Sequence, residues 1–174
     1  MGASSWHYTT PFNDDPNVAL QQLRKQVFES GRYGDPFITV NVGQQLKGMP
    51  ITIRLIVIAA KLFYNVTQLL SWVGRGCRSP RSIEEAIALA GESGTHSILD
   101  IERCSQSPDF GVAWKFQLAN IRRLYGTEQP SFEDVERVGL HAAAENLERW
   151  QAVYFPIYEN GIPVSLFFVG CSGD

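Results

Sequence analysis

Apolar and polar positions recur with helical period in some stretches and alternate with period two in others, and the two patterns come in blocks. From Pro16 to Ser30, apolar residues fall at Val18, Leu20, Leu23, Val27 and Phe28, which predicts a helix. Asp14 or Asp15 can cap it, Pro16 suits its first turn and Gly31 ends it. Gly34 and Pro36 mark a loop before "FITVNVG", which alternates as a strand. In "SIEEAIALAGESG", Ser82 and Glu85 match a capping box, with Gly91 or Gly94 as the stop. "THSILDIERCS" alternates in period two, which predicts a strand from Thr95 to Ser105, and "FGVAWKF" reads as its hairpin partner. "LANIRRLYG" is a short helix. "PSFEDVERVGLHAAAENLERW" is a longer one, capped by Ser131 and kinked at Gly139. In "AVYFPIYENGIPVSLFFVG", Asn160-Gly161 between two apolar runs is the strongest hairpin signal in the chain. Blocks of this kind predict an α+β fold, a single domain over residues 1–174 with a mainly antiparallel sheet, several packing helices and a C-terminal β-hairpin.

The most hydrophobic stretch is Met49–Gly76. Arg54 and Lys61 leave only "LIVIAA" between them uncharged, too short to span a bilayer, which takes about 20 apolar residues. Ile51, Leu55, Ile58, Leu62, Val66, Leu69 and Val73 recur at helical spacing, opposite a stripe of Arg54, Lys61, Asn65, Gln68 and Arg75. Three readings stay open: a core or partner-covered helix, a peripheral membrane helix, and a strand at the "ITIRLIVI" end. A transmembrane segment is not among them.

Composition narrows the partners. The 174 residues carry a net charge of -3, from 15 Lys and Arg against 18 Asp and Glu. That balance, with no basic stripe, gives no reason to expect nucleic acid. The three cysteines, Cys77, Cys104 and Cys171, are odd in number and widely spaced, which fits reduced thiols in the cytoplasm rather than a secreted disulfide framework. The N-terminus does not read as a signal peptide.

On the predicted strand, His96, Ile98, Asp100, Glu102 and Cys104 share one side. His96 and Asp100 would lie about 13 Å apart, too far for one metal, and Asp100 and Glu102 about 7 Å apart, within reach of one substrate or cation. His96, Asp100 and Glu102 are therefore the candidate catalytic residues. His7 lies outside the predicted elements, and His141 forms an i, i+4 pair with Glu145. No phosphate loop, zinc-protease signature or nucleophile elbow is present, so no cofactor or metal is expected. In the C-terminal hairpin, a two-residue turn pairs Tyr158 with Pro163, Ile157 with Val164 and Phe155 with Leu166. Val153, Phe155, Ile157, Val164, Leu166 and Phe168 then face the core, and Tyr154, Pro156, Tyr158, Pro163, Ser165 and Phe167 lie opposite. That second face is either covered by a helix or open for recognition, with Tyr154, Tyr158 and Phe167 as the candidate binding residues. Pro156, which cannot donate to a ladder, marks a sheet edge on its side of the strand.

"LRKQVFESGRY", "PRSIEEAIALAGESGTHSILDIERCS", "LYGTEQPSFEDV" and "VYFPIYENGIPVSLFFVGCSGD" occur in that order. The pattern resembles a largely uncharacterised family of small bacterial proteins over about two thirds of the chain, with "SIEEA" and "GTHSILDI" its most specific parts. The resemblance stops between about Gly34 and Cys77, where that family is shorter, so the hydrophobic stretch reads as an insertion at about 34–77. It carries no catalytic residue across. The expected function is a soluble, cytoplasmic, bacterial protein-binding module, of the immunity or antitoxin kind, that occludes a partner such as a toxin. The alternative is a small enzyme or a small-molecule or metal binder using His96, Asp100 and Glu102.

Overall fold

The computed structural model describes residues 4–31, 33 and 80–173. The chain divides into two compact units, Met1–Gly34 with Arg81–Asp174 and, separately, Asp35–Pro80. The expected strand "FITVNVG" and the Met49–Gly76 stretch lie outside the described residues.

The first unit has an α+β fold around a mixed five-stranded sheet. Its strands are β1 (Ser5–Pro11), β2 (Arg103–Ser105), β3 (Val112–Lys115), β4 (Gln151–Glu159) and β5 (Ile162–Cys171). The order across the sheet is β1-β5-β4-β3-β2. The three long strands pair antiparallel, and β4-β3 and β3-β2 pair parallel. Both faces are buried, which is why β4 and β5 read as near-continuous apolar runs rather than clean alternation.

One face is covered by α1 (Pro16–Ser30) and a tight turn at Ile98–Asp100. Asp15 Oδ1 accepts the Asn17 N–H at 2.8 Å, Pro16 opens the helix, and Gly31 closes it at φ 65°. Leu20, Leu23 and Val27 of α1 meet Ile98, Leu99, Ile101, Tyr154, Leu166 and Phe168 in this core. Arg24, on the same stripe, is buried with them, and its Nη2 donates to the Leu99 carbonyl at 3.2 Å. The second helix, α2 (Ile83–Ala90), is capped by Ser82 as expected, but Glu85 reaches past the cap to the Arg81 N–H at 2.6 Å.

The other face is covered by α3 (Leu118–Tyr125), α4 (Phe132–Val138) and a turn at Ala142–Ala144. Ile121, Tyr125 and Val135 there pack on Val153, Phe155, Ile157, Phe167 and Val169. Ser131 and Asp134 complete a reciprocal capping box. The long helix expected after Ser131 stops at Val138 instead of kinking. Gly139, at φ 123°, caps it, and a separate 3₁₀ turn follows.

Three expectations change. The segment 95–102 is not a strand. Gly94 at φ 74° and His96 at φ 51° break an extended run, and the Ser97 hydroxyl caps a 3₁₀ turn through the Leu99 N–H. That turn buries Ile98, Leu99 and Ile101 together, where a strand would have divided them between two faces. Second, β2 and β3 are parallel rather than a hairpin. The strand is only three residues long, so the loop 106–111 has a return of about 10 Å to make, well within its reach.

The third concerns the C-terminal hairpin. The Asn160-Gly161 turn forms, with both residues at positive φ, and Tyr158 faces Pro163 as expected. A bulge between Ile157 and Tyr158 then shifts the register: Ile157 faces Ser165, Pro156 faces Leu166, Phe155 faces Phe167 and Tyr154 faces Phe168. A one-residue slip exchanges the faces of a strand. Phe167 therefore joins Phe155, and Leu166 and Phe168 join Tyr154 on the opposite side. Pro156 sits where expected. β3 ends opposite Tyr154, and the Tyr154 C=O and Tyr158 N–H on that side bond to Phe116 and Pro130 instead of to a strand.

Candidate functional site

With the strand gone, His96, Asp100 and Glu102 do not share a face. Glu102 is exposed; its backbone N–H donates to Gly111 and its C=O accepts from Gln21. His96 is half-buried, with Nδ1 2.6 Å from the Ser4 hydroxyl. Asp100 is 4% exposed, and its Oδ1 accepts both the Thr95 N–H and the Thr95 hydroxyl at 2.7 Å. The other oxygen, Oδ2, is buried without a hydrogen bond of standard geometry, as is the nearby Ser172 hydroxyl. Burial pushes the Asp100 carboxyl above the usual carboxylate range, and Thr95, Ser172 and His96 offset part of that rise.

Ser4, His96 and Asp100 invite comparison with a nucleophile–base–orienter relay, which needs both links hydrogen-bonded. The serine–histidine link is present. No carboxylate–histidine hydrogen bond of standard geometry completes the relay: Oδ1 is taken by Thr95, and Oδ2 makes no bond of standard geometry. Asp100 instead ties the 95–100 turn together. The Gly94 Cα sits so close that a Cβ there would come within 2.7 Å of Asp100 Oδ2 and 3.0 Å of the Trp150 ring. Burial pushes the Cys104 thiol up to about 12, which disfavours the thiolate that a nucleophile needs. Among the described residues, no group of three or more His, Cys, Asp or Glu stands together to hold a metal ion.

The candidate binding residues also separate. Tyr154 and Phe167 are buried on opposite faces of the sheet, Tyr154 against Phe168 and Phe167 against Phe155. Tyr158 is half-buried near the turn. The three present no common aromatic surface. The register shift splits the hairpin face that was to be either covered or open for recognition: Tyr154 and Phe167 lie in the cores on its two sides, and Pro156, Tyr158, Pro163 and Ser165 are half-buried.

What the structure does bring together is a cleft of about 340 Å³ beside the parallel end of the sheet. Trp114 and Phe116 follow β3 into it, α3 supplies Asn120, Arg123 and Leu124, and the turn after α4 supplies Ala142, Ala143, Glu145, Asn146 and Leu147. Val153 of β4 lies at its base. Its lining mixes apolar side chains, chiefly Trp114, Phe116, Leu124, Leu147 and Val153, with polar ones. Among the described residues the side chains of Gln117, Asn120, Arg123, Glu145 and Asn146 form no hydrogen bond or ion pair with one another or with the rest of the unit. No periodic signal announces this cleft, because two stretches, 114–124 and 142–153, each crossing from one element to the next, build it.

A second aromatic feature lies by Gly94. Phe110, 69% exposed, leans on Trp150 with ring centres 5.4 Å apart. Trp150 holds φ 63°, a conformation that costs a bulky residue energy. It is fixed there by hydrogen bonds from its N–H to Cys171 and from the Gly111 N–H to its C=O. His7 of β1 and His141 after α4 also meet, with ring centres 4.9 Å apart. Burial and the neighbouring His141 hold His7 below its ordinary pKa. The chain matches no protein-family model, no curated protein and no solved structure.

Proposed function

We propose that this chain is a protein-binding module, bacterial and cytoplasmic, of the immunity or antitoxin kind, and that it occludes its partner by taking one of the partner's side chains into the cleft at Trp114 and Phe116. The cleft carries the reading. At about 340 Å³ it stands at the small end of ligand sites, with room for a large anchoring side chain of the sort that dominates protein interfaces. Trp114, Phe116, Leu124 and Leu147 give an aromatic or aliphatic anchor side chains to pack against. The uncommitted amides and charges of Gln117, Asn120, Arg123, Glu145 and Asn146 can then bond the partner's backbone around it.

The test is capture of a partner by the intact protein and neutralisation of that partner's activity, each compared with two cleft variants. Asn120→Trp fills the cleft and Arg123→Glu reverses a rim charge. Arg123 is exposed, Asn120 faces the open cleft, and among the described residues neither side chain makes a hydrogen bond within the unit, so the melting temperature should hold. The reading predicts that both variants lose capture and neutralisation. Partner recovery and protection equal to the parent's in folded variants would remove the cleft from the interface.

A further inference from the structure

His7 and His141 come from opposite ends of the unit's sequence yet meet over the α3–α4 side of the sheet. His7 is held by its strand, paired with Val169 in the ladder, and its ring lies nearly parallel to that of Phe167, at 14° and 5.9 Å. His141 begins a hydrogen-bonded turn, its carbonyl accepting the Ala144 N–H at 2.8 Å, and its side chain is exposed. Strand pairing and the Phe167 stack hold the His7 ring, the backbone bond holds the turn that carries His141, and the pair opens to solvent through His141.

The spacing of the ring centres is compatible with two ligands on one ion. With metal–nitrogen distances of about 2.0–2.1 Å, two imidazoles on the same centre hold their ring centres about 4.5–5.2 Å apart, between right-angle and tetrahedral ligation. The observed separation is 4.9 Å. We propose that His7 and His141 form a two-histidine site for a borderline divalent transition ion such as Zn²⁺ or Ni²⁺. Imidazole nitrogens select such ions over Mg²⁺ and Ca²⁺, which take oxygen ligands. No further His, Cys, Asp or Glu joins the pair among the described residues, so the ion keeps open positions, filled by water or by a donor from another molecule. The same ring geometry without an ion is an edge-to-face aromatic contact, and metal titration separates the two.

The experiment is calorimetric titration of the untagged full chain with NiCl₂ and with ZnCl₂ at pH 7.5, for the parent, His141→Ala and His7→Phe. His141→Ala removes an exposed side chain and should leave the thermal melt unchanged. His7→Phe keeps the stack on Phe167. The site predicts one ion bound by the parent and binding weakened by about ten-fold or more in each folded variant. Failure of the parent to bind either ion overturns it. So does binding by His141→Ala with the parent's affinity, which would place the ion elsewhere, for instance on the thiols.

Discussion

Asp100 accepts two hydrogen bonds from Thr95 on a single carboxylate oxygen, one from the backbone N–H and one from the hydroxyl, each at 2.7 Å. The Thr95 hydroxyl lies 2.7 Å from that of Ser97, which in turn caps the turn at Leu99. The chain Asp100–Thr95–Ser97 thus closes on itself under Gly94. Asp100→Ala removes the acceptor and leaves the buried Thr95 N–H unsatisfied, so it should cost about 2–4 kcal/mol in denaturant unfolding.

Asp100→Asn separates geometry from charge. The amide oxygen keeps both Thr95 bonds and the amide nitrogen gains Ser172 as an acceptor. Burial raises the Asp100 pKa in the folded chain. A raised carboxyl stabilises fully below its unfolded value and loses that contribution as pH rises through the folded value. The melting temperature of Asp100→Asn relative to the parent should therefore be higher at pH 7 than at pH 4. A difference that is flat or reversed between those pH values would contradict the burial argument.

Gly170→Ala should be among the most damaging small substitutions. A Cβ at Gly170 would stand 2.5 Å from the Trp6 ring and 2.8 Å from the Ala152 Cβ. Trp6, on β1, is buried in the core on the α1 side of the sheet and has little room to withdraw. Overpacking of this kind costs about 1–3 kcal/mol, and more where backbone must move. A smaller side chain at position 6, as in Trp6→Leu, should recover part of the loss, so a double-mutant cycle would show favourable coupling.

Gly161→Ala tests the hairpin turn. Gly161 has φ 79° and only the Gln129 side-chain oxygen, 4.0 Å away, near an added Cβ. Its cost is therefore conformational, about 1–2 kcal/mol, read as a lower denaturant midpoint with an unchanged slope.

That turn is legible in the sequence because Asn-Gly chemistry is local, and so are α1, its stop at Gly31 and the Ser82 and Ser131 caps, each carried by a neighbouring residue. The bulge between Ile157 and Tyr158 is not. It is imposed by both faces of β4 and β5 being core, and no residue within the hairpin announces it. It is also what sends Phe167 and Tyr154 to opposite sides. The 95–102 segment misleads for a related reason: alternation in Ser97, Leu99 and Ile101 mimics a strand, while Gly94 and His96 at positive φ redirect the chain. β1 escapes a reading by pattern although Trp6, Tyr8 and Thr10 alternate with His7 and Thr9. That alternation is short and rich in polar residues, and its pairing with β5 is remote in sequence. The cleft residues share no motif at all.

Arg24 is the last point on which packing overrules residue type. It lies on α1 between Leu20 and Val27, so the helix carries it inward with them, and it ends 9% exposed. Burial lowers its pKa, against the opposing pull of Glu102, Glu84 and Asp100. Its Nη2 donates to the Leu99 carbonyl at 3.2 Å and its Nη1 to Gln21 at 3.0 Å, while Nε has no partner. Arg24→Ala removes the stem that packs in the core and strips the donor from a buried carbonyl. It should cost about 2–4 kcal/mol. Arg24→Lys keeps the charge and most of the stem, but one ammonium cannot reproduce the two-armed contact with Leu99 and Gln21, so its loss should fall between that of alanine and the parent. The order follows from the guanidinium's place in the 98–101 turn. If lysine proves as damaging as alanine, the fork geometry decides; if both melt like the parent, Arg24 does not hold that turn. Chemical unfolding of the two variants, with hydrogen exchange at the amides of 98–101, reads stability and the turn's protection in the same samples.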